Sequence, residues 1–231
     1  MPTADRTAGV LLNAATAEVV KLVTVPSTYL AVGISVLGTT AIALLNSRVS
    51  SDAGFTALPF GAIGVIVLGV LIATGDGPTS VLCVPRRGVL HAAKVLVLGA
   101  VSMVVAGATV VAAVPFSALA ELGWRVAGVV VYWVCSALIA FAVGAVSRSA
   151  VVPLVLFTVN SALVSVTYLL TKVTPLARYL PDVAGAQMFA RDYPAEDMLS
   201  PVAGGVTMAV WTAVLVAVAG LVFARRDVGG A

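Results

Sequence analysis

TGDGPTSVLCVPRRGVLHAAK, residues 74–94, is a short basic island between two long apolar runs. It holds Arg86, Arg87 and Lys94 together with the chain's only histidine, His91. A basic loop between two membrane spans fixes the direction in which a chain threads the bilayer. It is also a surface on which a cytoplasmic partner can push. Both consequences depend on the flanks being spans, so the composition comes next.

The chain has 231 residues, of which 61% are hydrophobic and only 10% charged. A soluble domain carries about 25% charged residues. The deficit means that most of this surface does not face water. The formal charge of +3 is therefore no sign of nucleic-acid binding. No basic patch with interleaved aromatics occurs, and basic residues beside spans are explained by membrane orientation. Cys83 falls in the basic island and Cys135 inside an apolar run, so neither a disulfide nor metal-ligand spacing is expected. Met1 to Gly9 is polar and no short apolar stretch with a cleavage site follows, so no cleavable signal peptide is expected.

Val10 to Val25 reads as an amphipathic helix of about four turns. Leu11, Leu12, Ala15, Val19, Leu22 and Val23 share one face; Asn13, Thr16, Lys21 and Thr24 lie on the other, with Glu18 at the boundary. Glu18 and Lys21 are three residues apart and can pair on its surface. Such a helix suits the membrane interface. Pro26 disfavours helix at Val25 and turns the chain into the bilayer. One long helix from Val10 to Leu45 is the alternative.

Six runs approach or reach the ~20 residues needed to cross the hydrocarbon core. They are Ser27–Leu45, Phe55–Thr74, Val95–Leu119, Val126–Val146, Ala150–Leu170 and Val202–Ala224. The expected fold is thus an all-α integral membrane protein, a single domain of six spans with an N-terminal interfacial helix. No charged side chain lies inside any of these runs. A proton-coupled transporter usually keeps a buried acid or base there, so any coupling energy is expected from outside the membrane. Gly61, Gly64, Gly69, Gly99 and Gly107 read as helix packing positions. Pro153 stands in the first turn of the fifth run, and Pro115 near the end of the third is a candidate kink.

With both termini in the cytoplasm, the inner segments carry eight basic residues and the outer segments five. Five of the eight (Arg86, Arg87, Lys94, Arg225 and Arg226) cluster beside span ends, where orientation is set. The expectation is a multi-pass protein of a bacterial cytoplasmic membrane. The longest outer segment, Thr171–Pro201, is rich in proline and aromatics. A structureless loop of that length would be unusual, so one or two short helices are expected on the outer interface. Val183 to Ala190 is apolar enough to dip back toward the membrane.

Catalytic motifs are not found. There is no phosphate-cradling G-x-x-x-x-G-K-[ST], no H-E-x-x-H and no Cys/His cluster. An intramembrane serine protease needs a base beside its serine, and His91 is expected in a basic loop. Thr158, Asn160, Ser161 and Ser165 give the fifth run a polar tint. Hydrogen bonding between helices is the plainer reading; one flank of a substrate path is the functional one.

The order of features is similar to the membrane subunit of a bacterial type-2 ABC exporter. A-E-V-V-K-L lies in the interfacial helix, and V-P-R-R-G-V-L-H-A-A-K follows the second run. A-V-G-A-V-S-R-S leads into the fifth, R-Y-L-P-D precedes the outer segment, and L-V-F-A-R-R-D-V follows the sixth. The resemblance covers nearly the whole chain. It implies six spans forming half of a transporter, with pairing to a second permease subunit through the first and fifth spans. It also implies a separate cytoplasmic ATP-binding subunit docked on the loop after the second span. ATP and Mg²⁺ would sit on that partner, and this chain would hold no cofactor.

Carried onto this sequence, Glu18 and Lys21 belong to the elbow, and Pro85, Arg86 and Arg87 to the coupling region. Val81, Leu82 and Val84 would be apolar anchors in the ATPase. Related permeases usually show an acid, an aromatic and a G-T pair at the start of this loop. Here the text is G-D-G-P-T-S, with Asp76 in place of the acid and no aromatic. The expected function is the permease half of an ATP-driven exporter of an apolar or amphipathic substrate such as a drug, lipid or peptide. Two alternatives stand beside it: an assembly protein that keeps the fold without the pump, and an intramembrane enzyme.

Overall fold

In a computed structural model, residues 3–75, 87–117, 122–162, 166–190 and 199–225 are described. They are helical, with no strand among them beyond a single bridge between Asp52 and Ser117. In chain order, α1 is Thr3–Thr24, α2 is Pro26–Asn46, α3 is Ala53–Thr74 and α4 is Arg87–Ala113. Then come α5 at Leu122–Ser147, α6 at Val151–Ala162, α7 at Val166–Thr171, α8 at Pro181–Ala186 and α9 at Pro201–Arg225. Among the described residues, five helices are long and apolar enough to cross a membrane: α2, α3, α4 with its terminal turn, α5 and α9. This architecture fits an all-α membrane protein. The run Ala150–Leu170 is described as α6, of 12 residues, and α7, of 6, on either side of residues 163–165.

The break between α1 and α2 has a local cause. Val25 is extended at φ −91° and ψ 119°, the conformation that a following proline imposes. Pro26 then opens α2, where its missing N–H costs nothing. α1 starts at Thr3, a full two turns before the expected Val10. The side that packs on the bundle is a separate stripe. Ala14, Glu18 and Leu22 are buried, whereas Leu12, Val19 and Val23 are exposed. Glu18 thus sits in the middle of the buried stripe rather than at a boundary, because α1 packs on α4 and meets a buried lysine there.

α3 is the central helix, and 67% of its most apolar window is buried. It touches α2, α4, α5 and α6. Glycines let it lie that close. A Cβ on Gly61 would strike the Thr39 hydroxyl and the Trp133 ring, and one on Gly64 would strike Ser35 and the Ala31 carbonyl. A Cβ on Gly69 would strike the Ala137 carbonyl of α5. Gly99 and Gly107, also read as packing positions, have nothing within 4 Å of an added Cβ, so they bring no helices together here. At the tight contact with α2, the Ser35 hydroxyl donates to the Gly61 carbonyl at 2.8 Å. Here α2 carries one π-helical turn, Ile34–Gly38. The largest buried side chains around α3 include Trp133, Phe141, Leu58, Leu68 and Leu98.

α4 ends where proline dictates: its α-helical part stops at Ala113 and a 3₁₀ turn, Val114–Phe116, contains Pro115. α9 is the least embedded span, with 17% of its window buried and Val202, Val206, Val210, Val214 and Val218 exposed along it. Apolar exposure of this kind is what hydrocarbon solvates. Between α7 and α9 the chain forms a 3₁₀ turn, Pro175–Tyr179, and α8. Val183, Ala184, Gln187, Met188 and Phe189 are all buried, so this stretch enters the bundle rather than resting on its surface.

Overpacking a filled helix contact costs about 1–3 kcal/mol. Gly64→Val should therefore lower stability by that order, read as a reduced melting temperature of helical circular dichroism in detergent. Gly99→Val should leave it within about 0.5 kcal/mol.

Candidate functional site

Among the described residues, three clusters of polar side chains interrupt the apolar bundle, one at the α1 end and two at the opposite end. The first is built on Glu18 and Lys94, each 3% exposed. Lys94 Nζ lies 3.4 Å from Glu18 Oε2 and donates to the Ile72 carbonyl at 3.0 Å. Lys21, which is partly exposed, donates to Glu18 Oε1 at 2.9 Å. Ile72 is in the last turn of α3, where carbonyls lack partners within the helix. A cation there also meets the negative end of the helix dipole. Lys94 therefore ties α1, α3 and α4 to one point.

This placement corrects the expected loop, residues 74–94, which is helical from Arg87, so that Lys94 does not stand at the opening of the third span but within its helix. α4 starts at Arg87, so Lys94 stands two turns inside the helix. An isolated charge there would be strongly unfavourable, and Glu18 and the Ile72 carbonyl offset that cost. His91 also leaves its expected loop. It lies on α4, with Nε2 3.2 Å from the Val216 carbonyl. Its ring is 5.5 Å from Phe141 and 6.3 Å from Phe223. It is packed between α5 and α9, with no paired nucleophile or metal-ligand cluster among the described residues.

At the other end Arg125 is fully buried in the first turn of α5. Its Nη1 donates to Asp52 Oδ1 at 3.0 Å, and Nη2 donates to Asp52 Oδ2. Its Nε donates to the Phe189 carbonyl at 2.8 Å, and the guanidinium lies 3.7 Å from the centroid of the Phe55 ring. Asp52 occupies the N-cap position of α3 but makes no side-chain cap. Its carboxylate is turned to the arginine, and Ser117 Oγ accepts the Phe55 N–H at 3.2 Å in its place. Arg125 and Asp52 read as ordinary loop charges in the sequence. No local signal pairs residues so far apart, and the only hint was that both lie next to a span.

The third cluster centres on Asp182. Its Oδ1 accepts the Tyr132 hydroxyl at 3.0 Å; Oδ2 accepts Asn160 Nδ2 at 2.6 Å and the Thr167 hydroxyl at 3.0 Å. Asn160 Oδ1 also accepts the Thr167 backbone N–H at 3.2 Å. Asn160 therefore links α6, α7 and α8.

The residues expected to meet a partner divide in two. Glu18 and Lys21 come together with Lys94, and Arg87 is the first residue of α4. Asp76, Val81, Leu82, Val84, Pro85 and Arg86 lie outside the described residues. Of the expected substrate path, Asn160 is engaged with Asp182 and Thr167; Thr158 and Ser161 lie on α6, and Ser165 is outside the described residues.

Removing one member of a buried ion pair costs about 3–5 kcal/mol, whereas replacing both by apolar groups is often close to neutral. Lys94→Met should destabilise the protein by that order, and Glu18→Leu added to it should restore most of the loss. Thermal unfolding of the two single variants and the double variant in detergent reads this coupling directly.

No protein-family model matches this chain, and no curated protein matches its sequence.

Proposed function

We propose that this chain is a permease subunit of an ATP-driven exporter in a bacterial cytoplasmic membrane. It has six spans, both termini in the cytoplasm and α1 at the inner interface, where Leu12, Val19 and Val23 face the lipid. The observation that carries the reading is the join made by Lys94. α3 and α4 flank residues 76–86, and the same lysine fastens both of them to α1. A partner that pushes on the basic segment or on α1 then moves the ends of two spans as one unit. A ligand or partner shifts a conformational equilibrium only through different contacts in the two states, and a stiff joint of this kind converts a docking contact into span movement.

The partner is a cytoplasmic ATP-binding subunit carrying ATP and Mg²⁺. Val81, Leu82 and Val84 enter its surface, and Asp76, Pro85, Arg86 and Arg87 frame the contact with Glu18 and Lys21 behind it. Arg87 and Arg86 also orient the chain. A second permease subunit completes the path along α2, whose Leu30 and Leu37 are 67% and 72% exposed. Thr158, Asn160, Ser161 and Ser165 flank the route of an apolar or amphipathic substrate.

Two measurements test this reading. In intact cells, an impermeant thiol reagent should label Asp192→Cys and spare Arg86→Cys; the opposite pattern reverses the topology. In vesicles containing the chain and an ATP-binding subunit that co-purifies with it, Leu82→Ala should uncouple efflux from ATP hydrolysis more than Arg87→Ala does. A buried anchor costs about 2 kcal/mol or more when truncated, whereas a rim charge mainly changes association rate. Parental transport by both variants in an intact complex would reduce residues 74–94 to an orientation signal. Failure of the chain to bind any ATPase would favour the assembly-protein alternative.

A further inference from the structure

The stretch from Asp182 to Phe189 is held in an unusual way. Its own helix, α8, has 6 residues. A helix that short has no independent stability, since isolated helices below about 12 residues are marginal in water. Ala184 and Gly185 are buried at close approach to their neighbours: the Ala184 carbonyl faces Gly204, and Gly185 faces Met208 and Tyr132. The Met188 carbonyl likewise faces Gly128, and the Phe189 ring lies 5.4 Å from that of Tyr132. Gln187 Oε1 accepts the Leu199 N–H. Charged groups anchor the two ends. At one end the Asp182 carboxylate accepts from Tyr132, Asn160 and Thr167. At the other, the Phe189 carbonyl accepts from the buried guanidinium of Arg125, which Asp52 holds in place.

We propose that residues 182–189 form a strap across this end of the bundle, closed by the Asp182 and Arg125–Asp52 anchors and able to lift as a unit when they let go. The anchors differ in kind. The Asp182 carboxylate is met by side chains from α5, α6 and α7, so its hold depends on those helices keeping their spacing. The Arg125 anchor grips a backbone carbonyl and is itself fixed by the N-cap residue of α3. Separation of α3 from α5 at this end withdraws Asp52 from the guanidinium and leaves Arg125 free to turn from Phe189. Separation of α6 from α5 parts Asn160 from Tyr132, so that Asp182 can no longer keep both and the first anchor loosens. Spreading of the helices thus weakens the hold on both ends of the strap. The strap uncovers the apolar space that Val183, Ala184 and Phe189 now fill. The device belongs to the bundle alone and requires no partner protein.

Thiol accessibility in nanodiscs, where both faces of the protein meet solvent, tests the strap. In full-length protein with Cys83→Ser and Cys135→Ala, a reporter is placed by Ala184→Cys on the strap. A control is placed by Ala140→Cys within α5, a position that is also fully buried. Asp182→Asn and Asp52→Asn are introduced singly and together, and the rate of maleimide labelling is followed. Each anchor variant should raise labelling at position 184 several-fold, and the double variant more than tenfold, with labelling at position 140 unchanged. Arg125→Lys keeps the charge but cannot keep both the paired contact with Asp52 and the contact with Phe189. It should behave like Asp52→Asn. If position 184 stays as slow as position 140 in the double variant, the anchors do not hold the strap. If both positions accelerate together, the anchors hold the whole bundle and the strap is not a separate unit.

Discussion

A charge buried in an apolar bundle needs its counter-charge on another helix, and this constraint shapes both ends of the molecule. Lys94 lies two turns inside a span and Arg125 in the first turn of another, both essentially without solvent. Each finds a carboxylate far away in sequence, Glu18 or Asp52, and each also takes a backbone carbonyl. Hydrophobic packing between helices has little direction in lipid, because a lipid tail is as apolar as a leucine. Ion pairs with fixed geometry supply the direction that packing lacks. Buried ionic groups are best attested in setting register rather than in adding net stability, and here they set which helix ends meet.

Between these ends the bundle relies on close approach. α3 lies deepest because Gly61, Gly64 and Gly69 bring neighbouring backbones against it on two sides. The contact with α2 coincides with a π-helical turn and with the Ser35 hydroxyl on the Gly61 carbonyl. Such turns in α-helices often mark functional positions. The helices around α3 are less enclosed, and α9 shows most of its surface outward. The centre fixes the geometry of the bundle by close approach, and the rim presents its apolar surface outward.

The two ends also differ in what they tie. At the α1 end, Lys94 connects three elements through charge and a helix terminus. At the opposite end, two anchors connect the core helices to a short segment with little stability of its own. α3 takes part at both ends, through the Ile72 carbonyl at one and Asp52 at the other.

The sequence by itself determined the class of protein and several local features. Long apolar runs with few charges marked helices able to cross a membrane, because every backbone group in lipid must be satisfied within its own segment. Pro26 placed the break after α1, because proline acts on its own turn, whereas Pro115, read as a kink, stands in the 3₁₀ turn that follows the α-helical part of α4. The apolar character of residues 183–190 marked a stretch that dips back from the outer segment, but not that it is buried within the bundle. The candidate site was legible only in part: Glu18 and Lys21 could be paired by spacing, but Lys94 looked like a loop residue. Tertiary structure alone decided that Glu18 faces inward, that Lys94 and Arg125 are buried, and that Asn160 serves Asp182. The pairs involved are separated by 76 residues for Glu18–Lys94, 73 for Asp52–Arg125 and 22 for Asn160–Asp182. Periodicity and propensity act over a few turns, so contacts at such separations become visible only when the helices are packed.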